Sequence, residues 1–121
     1  MARILIVDDS PTELEKLTAL LEKNGHQVFK AHNGADGVAL ARQEKPDVVL
    51  MDIVMPVLNG FQATRQLNKD PETSAIPVIV ITTKDQDSDR VWASRQGARD
   101  FLTKPVNEDD LNAKLEEVLG A

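Results

Sequence analysis

The sequence predicts an open, doubly wound α/β domain with a five-stranded parallel sheet. Short apolar strands and longer amphipathic segments alternate strictly along the chain, which is the pattern of a parallel sheet covered by helices on both faces. The strands "ILIV", "DVVLMD" and "PVIVIT" are nearly unbroken aliphatic runs. Such runs are typical of central parallel strands, because both of their faces are buried.

In the first half of the chain, each predicted strand is followed by a segment of helical period. The helix Thr12–Asn24 places four leucines on one face, and Gly25 follows it as a C-terminal stop. The "NG" dipeptide Asn33–Gly34 predicts a turn before the second helix. The remaining predicted elements of this half are the strands Arg3–Asp8, Gln27–Ala31 and Asp47–Asp52 and the helix Ala35–Glu44.

The second half continues the alternation with weaker signals. The segment Ser88–Gln96 has few apolar positions and is predicted as a weak helix that stops at Gly97. Trp92 on this helix is interpreted as a core residue rather than a partner-facing one. The other predicted elements are the helix Asn59–Leu67, the strand Pro77–Thr82, the strand Asp100–Thr103 and the helix Asp109–Leu119.

Composition restricts the classes of function. The chain has 121 residues, close to the size of one domain, and we expect a single domain over residues 1–121. Its formal net charge of −6 argues against direct nucleic-acid binding. The absence of cysteine excludes a disulfide framework and a cysteine-based zinc site. No apolar run is long enough for a signal peptide or a membrane span, so we expect a cytoplasmic protein without a membrane partner.

Polar side chains follow the apolar strands where each strand ends. Asp8 and Asp9 end the first strand, Asp52 the third and Thr82 the fourth, while Lys104 follows the fifth. Open parallel sheets bind their ligands outside the carboxyl ends of the strands. We therefore expect the three acids, the threonine and the lysine to converge on one small site.

This set of residues is suited to phosphoryl transfer. Crowded carboxylates repel one another unless a cation is present, and Mg²⁺ prefers carboxylate and phosphate oxygens. An aspartate can attack phosphorus as a nucleophile, and a metal with a lysine neutralises the charge. We interpret the site as a Mg²⁺-dependent, phosphoryl-accepting aspartate. Taken singly, each residue has an ordinary alternative: a helix-start acid pair for Asp8–Asp9, a turn acid for Asp52, a turn residue for Thr82 and a surface cation for Lys104.

The segments "ILIVDDS", "VVLMDIVMPVLNGF", "IPVIVITT" and "GARDFLTKPV" together resemble the receiver domain of response regulators, the CheY-like family. The resemblance covers the whole chain and implies the strand order 2-1-3-4-5. It also implies a role for each site residue. Asp52 would be the phosphoacceptor. Asp9 would bind Mg²⁺ directly, Asp8 largely through water, and the backbone carbonyl of Val54 would be a third protein ligand. Thr82 would bind the phosphoryl group through its hydroxyl, Lys104, which would precede a cis proline, would pair with the phosphoryl oxygens, and Phe101 would be the aromatic switch.

The resemblance also implies partners. A histidine kinase, expected to be CheA-like, would donate the phosphoryl group. The face formed by the fourth helix, fifth strand and fifth helix would then bind an output protein, with the chain a monomer or a weak phosphorylation-dependent dimer. The segments "DGVALARQEKPDVVLMDIVMP" and "TSAIPVI" look most like PilH-type single-domain regulators of type IV pilus twitching motility. Met1 directly before the first strand favours a natural start, and no output domain is expected.

Two further hypotheses concern chemistry. Val54 and Lys84 are expected to set the lifetime of the phosphorylated state by controlling the access of water. The alternative function is a Mg²⁺-dependent aspartyl-phosphate phosphatase resembling the haloacid dehalogenases. Those enzymes usually carry a second acid two residues after the nucleophile, where this chain has Val54. We therefore expect a switch and not an enzyme beyond its own phosphotransfer and autodephosphorylation.

Overall fold

The computed structural model describes residues 2–53, 59–82, 91–92 and 94–120. Within them a single parallel sheet has the strand order β2-β1-β3-β4-β5, so the predicted fold and strand order are confirmed. The strands are β1 Arg3–Val7, β2 Gln27–Ala31, β3 Val48–Asp52, β4 Val78–Thr82 and β5 Asp100–Thr103; the helices are α1 Pro11–Lys23, α2 Gly34–Glu44, α3 Gly60–Lys69 and a C-terminal helix Glu108–Leu119. No helix in these ranges is long and apolar enough to cross a membrane.

Alternate residues of the central strands build a separate core on each face of the sheet, because successive side chains of a strand point to opposite sides. Ile4 and Ile6 of β1 pack with α1 and the C-terminal helix, while Leu5 and Val7 pack with α2 and α3. All four are fully buried, and burying one such side chain stabilises the fold by about 1.5–3 kcal/mol. The two cores hold the central strands rigidly, and with them the strand ends.

Side-chain caps fix where the helices begin. Asn33, Asn59 and Asn107 each adopt an extended backbone and accept a hydrogen bond from the amide three residues ahead. At Asn59 the Gln62 side chain also accepts from the Asn59 amide, which completes a capping box. The dipeptide Asn33–Gly34, predicted as a turn, is therefore the N-cap and the first residue of α2. The helix begins one residue earlier than predicted.

The predicted helix Ser88–Gln96 falls partly outside the described residues. Val91, Trp92, Ser94 and Arg95 are helical, and Gly97 has a φ of +94°, as expected of a glycine that ends a helix. The interpretation of Trp92 as a core residue is wrong, since its side chain is 51% exposed. A lone aromatic on a weakly amphipathic segment has no periodic partners that would assign it to the core.

Candidate phosphoacceptor and metal site

Asp8 lies immediately after β1, in the turn that leads to α1. Its amide donates to the Ala31 carbonyl at 3.1 Å, and its Oδ1 accepts from the Ser10 amide at 2.9 Å. The side chain is almost fully buried at 1% exposure. A buried carboxylate is costly unless it is hydrogen-bonded and paired with a positive charge, and both contacts orient this one toward the centre of the sheet edge.

Asp52 is the last residue of β3, one strand away from Asp8. It stands opposite Ile81 of β4, and the next amide, that of Ile53, donates to the Ile81 carbonyl at 3.1 Å. The Asp52 residue is 4% exposed. The central strand and its two neighbours therefore hold this carboxylate in place, with little of it open to solvent.

The carboxylates of Asp8, Asp9 and Asp52 form a cluster. Each offers one oxygen, and these oxygens lie within 4.8 Å of one another; Asp9 is the exposed member. Mg²⁺ binds through a small number of carboxylates and retains several waters. Two buried acids beside one exposed acid fit such an ion, since the exposed side leaves room for water.

Lys104 brings a positive charge to this cluster from beyond β5. Its amide donates to the Thr82 carbonyl at 2.7 Å, and its Nζ lies 3.0 Å from Oδ2 of Asp8 and 3.6 Å from Oδ1 of Asp52. Burial lowers the pKa of Lys104, but the hydrogen bond to Asp8 and the charges of Asp52, Asp8 and Glu13 together raise it above its ordinary value. The ammonium is therefore charged at neutral pH. The bond from Lys104 to Pro105 is cis, as the resemblance implied.

The structure brings Thr82 to the same edge of the sheet. Thr82 is the last residue of β4 and is 5% exposed. Phe101, the proposed aromatic switch, is the second residue of β5, opposite Val80, and is partly buried against the core that α2 and α3 cover. Thus Asp8, Asp9, Asp52, Thr82 and Lys104 share one edge as predicted, and Phe101 lies on the outer strand beside it. Val54 and Lys84, which the sequence analysis also singled out, lie outside the described residues.

Gly60 is a residue of this site that sequence reasoning missed. It is the first residue of α3, and its amide donates to the Ile53 carbonyl at 2.9 Å. A Cβ built on Gly60 would lie 2.1 Å from the Asp52 carbonyl oxygen, far inside any real contact. Only glycine allows α3 to start this close to the strand end that carries Asp52. The "NG" dipeptide Asn59–Gly60 was the available signal, but it also reads as an ordinary helix start.

A cavity lies at the amino ends of the strands, the end of the sheet opposite to the acid cluster. It measures about 770 Å³ and is lined by residues at the amino ends of the strands, including Ala2, Asp47, Pro77 and Arg99. None of the clustered acids lines it. Cavity size therefore does not mark the site here; the convergence of charged groups at the carboxyl ends does.

Comparison with known proteins shows which family the chain resembles. The family model of the response regulator receiver domain matches residues 4–116. The chain is 77% identical to Protein PilH of Pseudomonas aeruginosa over 98% of both chains. It is 40% identical to the response regulator PleD of Caulobacter vibrioides over 94% of this chain, which spans only 25% of PleD.

Solved structures of the same fold include the chemotaxis protein CheY4 of Vibrio cholerae. It matches with a TM-score of 0.93 and 29% identity, covering 98% of this chain and 99% of that one. The receiver domain of the sensor histidine kinase PA1611 from Pseudomonas aeruginosa matches with a TM-score of 0.91 and 30% identity, over 99% and 98% of the two chains. That structure has a magnesium ion coordinated in its active-site cleft.

These matches favour one of the two classes of function predicted from the sequence. Receiver domains are phosphorylation-activated switches of two-component systems, served by a phosphodonor histidine kinase and a downstream partner, and they bind Mg²⁺ in their acidic pocket. They are generally switches and not enzymes that act on external substrates, which favours the switch over the haloacid dehalogenase-like phosphatase. This chain belongs to the response regulator receiver domain family.

Proposed function

We propose that Asp52 is the phosphoacceptor of this switch and that Lys104, Thr82 and the acid cluster serve it. The observation that carries the proposal is the position of Asp52: a buried carboxylate at the end of a central strand, 3.6 Å from a lysine ammonium. Burial excludes most water from the nucleophile, and the ammonium offsets charge that a phosphoryl group would add.

The reaction transfers a phosphoryl group from a histidine nitrogen of the kinase to a carboxylate oxygen of Asp52. A carboxylate oxygen of Asp52 attacks the phosphorus of a phosphohistidine on the kinase. The phosphorus–nitrogen bond breaks, the imidazole nitrogen keeps the electron pair, and an acyl phosphate forms on Asp52. The departing nitrogen takes up a proton from solvent, which leaves the kinase histidine as a neutral imidazole. Lys104 is placed to pair with the phosphoryl oxygens, because its Nζ already lies between Asp8 and Asp52.

The carboxylates of Asp8, Asp9 and Asp52 and the backbone carbonyl of Val54 would hold a Mg²⁺ ion. When bound, the ion neutralises negative charge on the acids and on the phosphoryl group. The clustering of the three carboxylates within 4.8 Å supports the first three ligands, while Val54 rests on the resemblance.

Phosphorylation of Asp52 would change the conformations of Thr82 and Phe101. The new charge would draw the Thr82 hydroxyl toward the phosphoryl group, and the Phe101 ring would follow into the space released. The face of the predicted fourth helix, β5 and the C-terminal helix would then bind an output protein differently. This is a two-state element biased by a local electrostatic change.

We propose that the biological setting is motility control. A CheA-like kinase would phosphorylate the protein, and its output would control type IV pilus twitching. The 77% identity with PilH over nearly the full length of both chains supports this. We further propose that residues 1–121 form one receiver domain that acts in the cytoplasm through protein contacts, as a monomer or a weak phosphorylation-dependent dimer.

Incubation with acetyl phosphate and Mg²⁺, followed by intact mass measurement, tests the phosphoacceptor. The wild type should gain one phosphoryl group, and Asp52→Asn should gain none. Asp47→Asn, at the other end of the same apolar run, is the matched control and should label like wild type. Equal labelling of Asp52→Asn would overturn the assignment.

Two more measurements test the finer proposals. Expression in a Pseudomonas aeruginosa strain lacking PilH should restore its function with the wild type and not with Asp52→Asn; failure of both would contradict the proposed setting. Dephosphorylation rates of Val54→Asn and Lys84→Ala test the proposed control of lifetime, which unchanged rates in both variants would refute.

A further inference from the structure

A cleft of about 330 Å³ lies between α3 and the helical residues around Trp92. We call it the Trp92 cleft. It is lined by Asn59, Phe61, Gln62, Arg65, Trp92 and Gln96. One wall belongs to the start of α3, which takes no part in the proposed switch mechanism, and the other, Trp92 and Gln96, belongs to the predicted fourth helix. The volume is near the lower end of ligand pockets, and is suited to one or two side chains.

The cleft exposes the single tryptophan of the chain. Trp92 is 51% exposed, and among the described residues only Val91, at 49%, is another exposed large hydrophobic side chain. Scattered apolar side chains on a surface are ordinary. Trp92 differs because it faces a concave surface together with the partly buried Phe61. Tryptophan in such a setting is the residue most enriched at the energetic centres of protein interfaces.

The walls of the cleft are held at a fixed spacing. Phe61 and Arg65 are one turn apart on α3, and Trp92 and Gln96 are one turn apart opposite them, joined by a backbone hydrogen bond of 3.1 Å. At the base, a Cβ on Gly97 would lie 2.5 Å from Cγ of Asn68. This close approach ties the end of the Trp92 wall to α3. A preformed cleft costs less ordering free energy when it binds.

Among the described residues that line the cleft, the one charged side chain is basic, whereas the chain as a whole is acidic. Arg65 lines it, and the Arg95 guanidinium lies 5.9 Å from the centre of the Trp92 ring. Within the described ranges neither arginine forms an ion pair with a carboxylate, and no acid lines the cleft. The whole chain carries −6. A surface with an aromatic ring and two available guanidinium groups is complementary to an acidic segment that carries an apolar side chain.

We propose that the Trp92 cleft docks an acidic segment of a partner protein. One apolar side chain of that segment packs between Trp92 and Phe61, and its carboxylates pair with Arg65 and Arg95. The cleft shares the predicted fourth helix with the proposed output face, but no residue of β5 or the C-terminal helix lines it.

A synthetic peptide with Leu and Phe one helical turn apart, separated by Glu residues, is the probe. Trp92 is the only tryptophan, so its fluorescence reports the cleft directly. We expect a saturable blue shift with a Kd below about 1 mM, weakened by added salt because exposed ion pairs are screened. The same peptide with Lys in place of each Glu should not bind. Equal binding of both peptides would overturn the proposal.

Matched variants locate the binding. Arg65→Glu should weaken it by about tenfold or more, whereas Lys69→Glu, exposed on the same helix outside the cleft, should not. By calorimetry, Trp92→Ala should abolish binding and Val91→Ala should leave it intact. Equal effects within either pair would refute the proposal, as would a dimer abolished by Trp92→Ala, which would assign the cleft to a second copy. Labelling of Asp52 by acetyl phosphate should persist in all four variants, so this test is independent of the phosphoacceptor assignment.

Discussion

The ammonium of Lys104 lies 3.0 Å from Oδ2 of Asp8, although 96 residues separate them in the chain. This contact joins the segment after β5 to the turn after β1. Asp8 is 1% exposed, so it depends on partners within the protein to offset its charge. The pair therefore links the stability of the fold to the chemistry of the site.

Replacing Lys104 with Met should destabilise the protein. The apolar stem is retained and the charge is lost, so the buried Asp8 and Asp52 repel each other without compensation. We expect a loss of about 2–3 kcal/mol in the free energy of unfolding, measured by urea denaturation without Mg²⁺.

A double-mutant cycle with Asp8→Asn separates the ion pair from general damage. In the Asp8→Asn background, Lys104→Met should cost markedly less, because one of the two carboxylates that need the ammonium is gone. An equal cost in both backgrounds would show that the lysine acts through packing and not through its charge.

Asp9 gives a test of metal binding that is nearly free of folding effects. Its side chain is exposed, unlike those of Asp8 and Asp52. Without Mg²⁺ we therefore expect Asp9→Asn to lie within about 0.5 kcal/mol of wild type, or to be more stable through relief of repulsion. Mg²⁺ should raise the Tm of wild type, since a ligand that binds only the folded state stabilises it by about 2.7 kcal/mol at one hundred times its Kd.

The increase in Tm should largely disappear in Asp9→Asn. Glu15→Gln, which removes an exposed acid of α1 outside the cluster, should respond to Mg²⁺ like wild type. A full Mg²⁺ response in Asp9→Asn would remove Asp9 from the proposed ligand set.

Gly60→Ala should disturb both the fold and the phosphoacceptor. The new methyl group would lie 2.1 Å from the Asp52 carbonyl oxygen, so either α3 or the end of β3 must move. We expect a loss of about 2–3 kcal/mol of stability and slower labelling of Asp52 by acetyl phosphate.

Gly25→Ala is the comparison variant for this effect. Gly25 has a φ of +85° and no atom within 4 Å of a built Cβ, so only backbone strain of about 1 kcal/mol is expected. Its labelling rate should stay at the wild-type value. If both variants label alike, the close contact at Gly60 does not position Asp52.

The sequence predicted the central strands well because strands buried on both faces have a recognisable aliphatic composition. β3 and β4 are buried at every position, and such strands appear as unbroken aliphatic runs. Their carboxyl ends then located Asp52 and Thr82 to the residue. The limits of the predicted strands were one residue too long at Asp8, Asp47 and Pro77, because apolar periodicity does not record where ladder hydrogen bonds stop.

Gly60 and Trp92 show what the sequence could not supply. The requirement at Gly60 comes from the Asp52 carbonyl, a tertiary contact that no local pattern records. Trp92 lies on a segment with few apolar neighbours, so its exposure depended on how that segment packs against α3. The ion pair of Lys104 with Asp8 was predicted only as convergence on one edge; which acid lies nearer the ammonium depends on side-chain geometry.

His26 should make the stability of the protein depend on pH below neutrality. Its Nδ1 accepts a hydrogen bond from the Ala2 amide at 3.0 Å, which requires the neutral ring. Burial, and then the positive charge of the N-terminal amine, lower its pKa from 6.5. The unfolded chain binds the proton more readily, so stability is present above about pH 6.5 and falls as the pH drops toward the lower folded-state value.

His26→Asn should remove this dependence, because the Asn Oδ1 can accept the same hydrogen bond and does not titrate. Thermal denaturation of wild type between about pH 7.5 and 5.5 should show a falling Tm, and the His26→Asn curve should be flatter over that window. His32→Asn is the control, since His32 is exposed, and its curve should follow wild type. The other titratable groups are common to wild type and His26→Asn, so the difference between these two curves isolates His26. Parallel curves for wild type and His26→Asn would show that the Ala2 contact survives protonation of the ring.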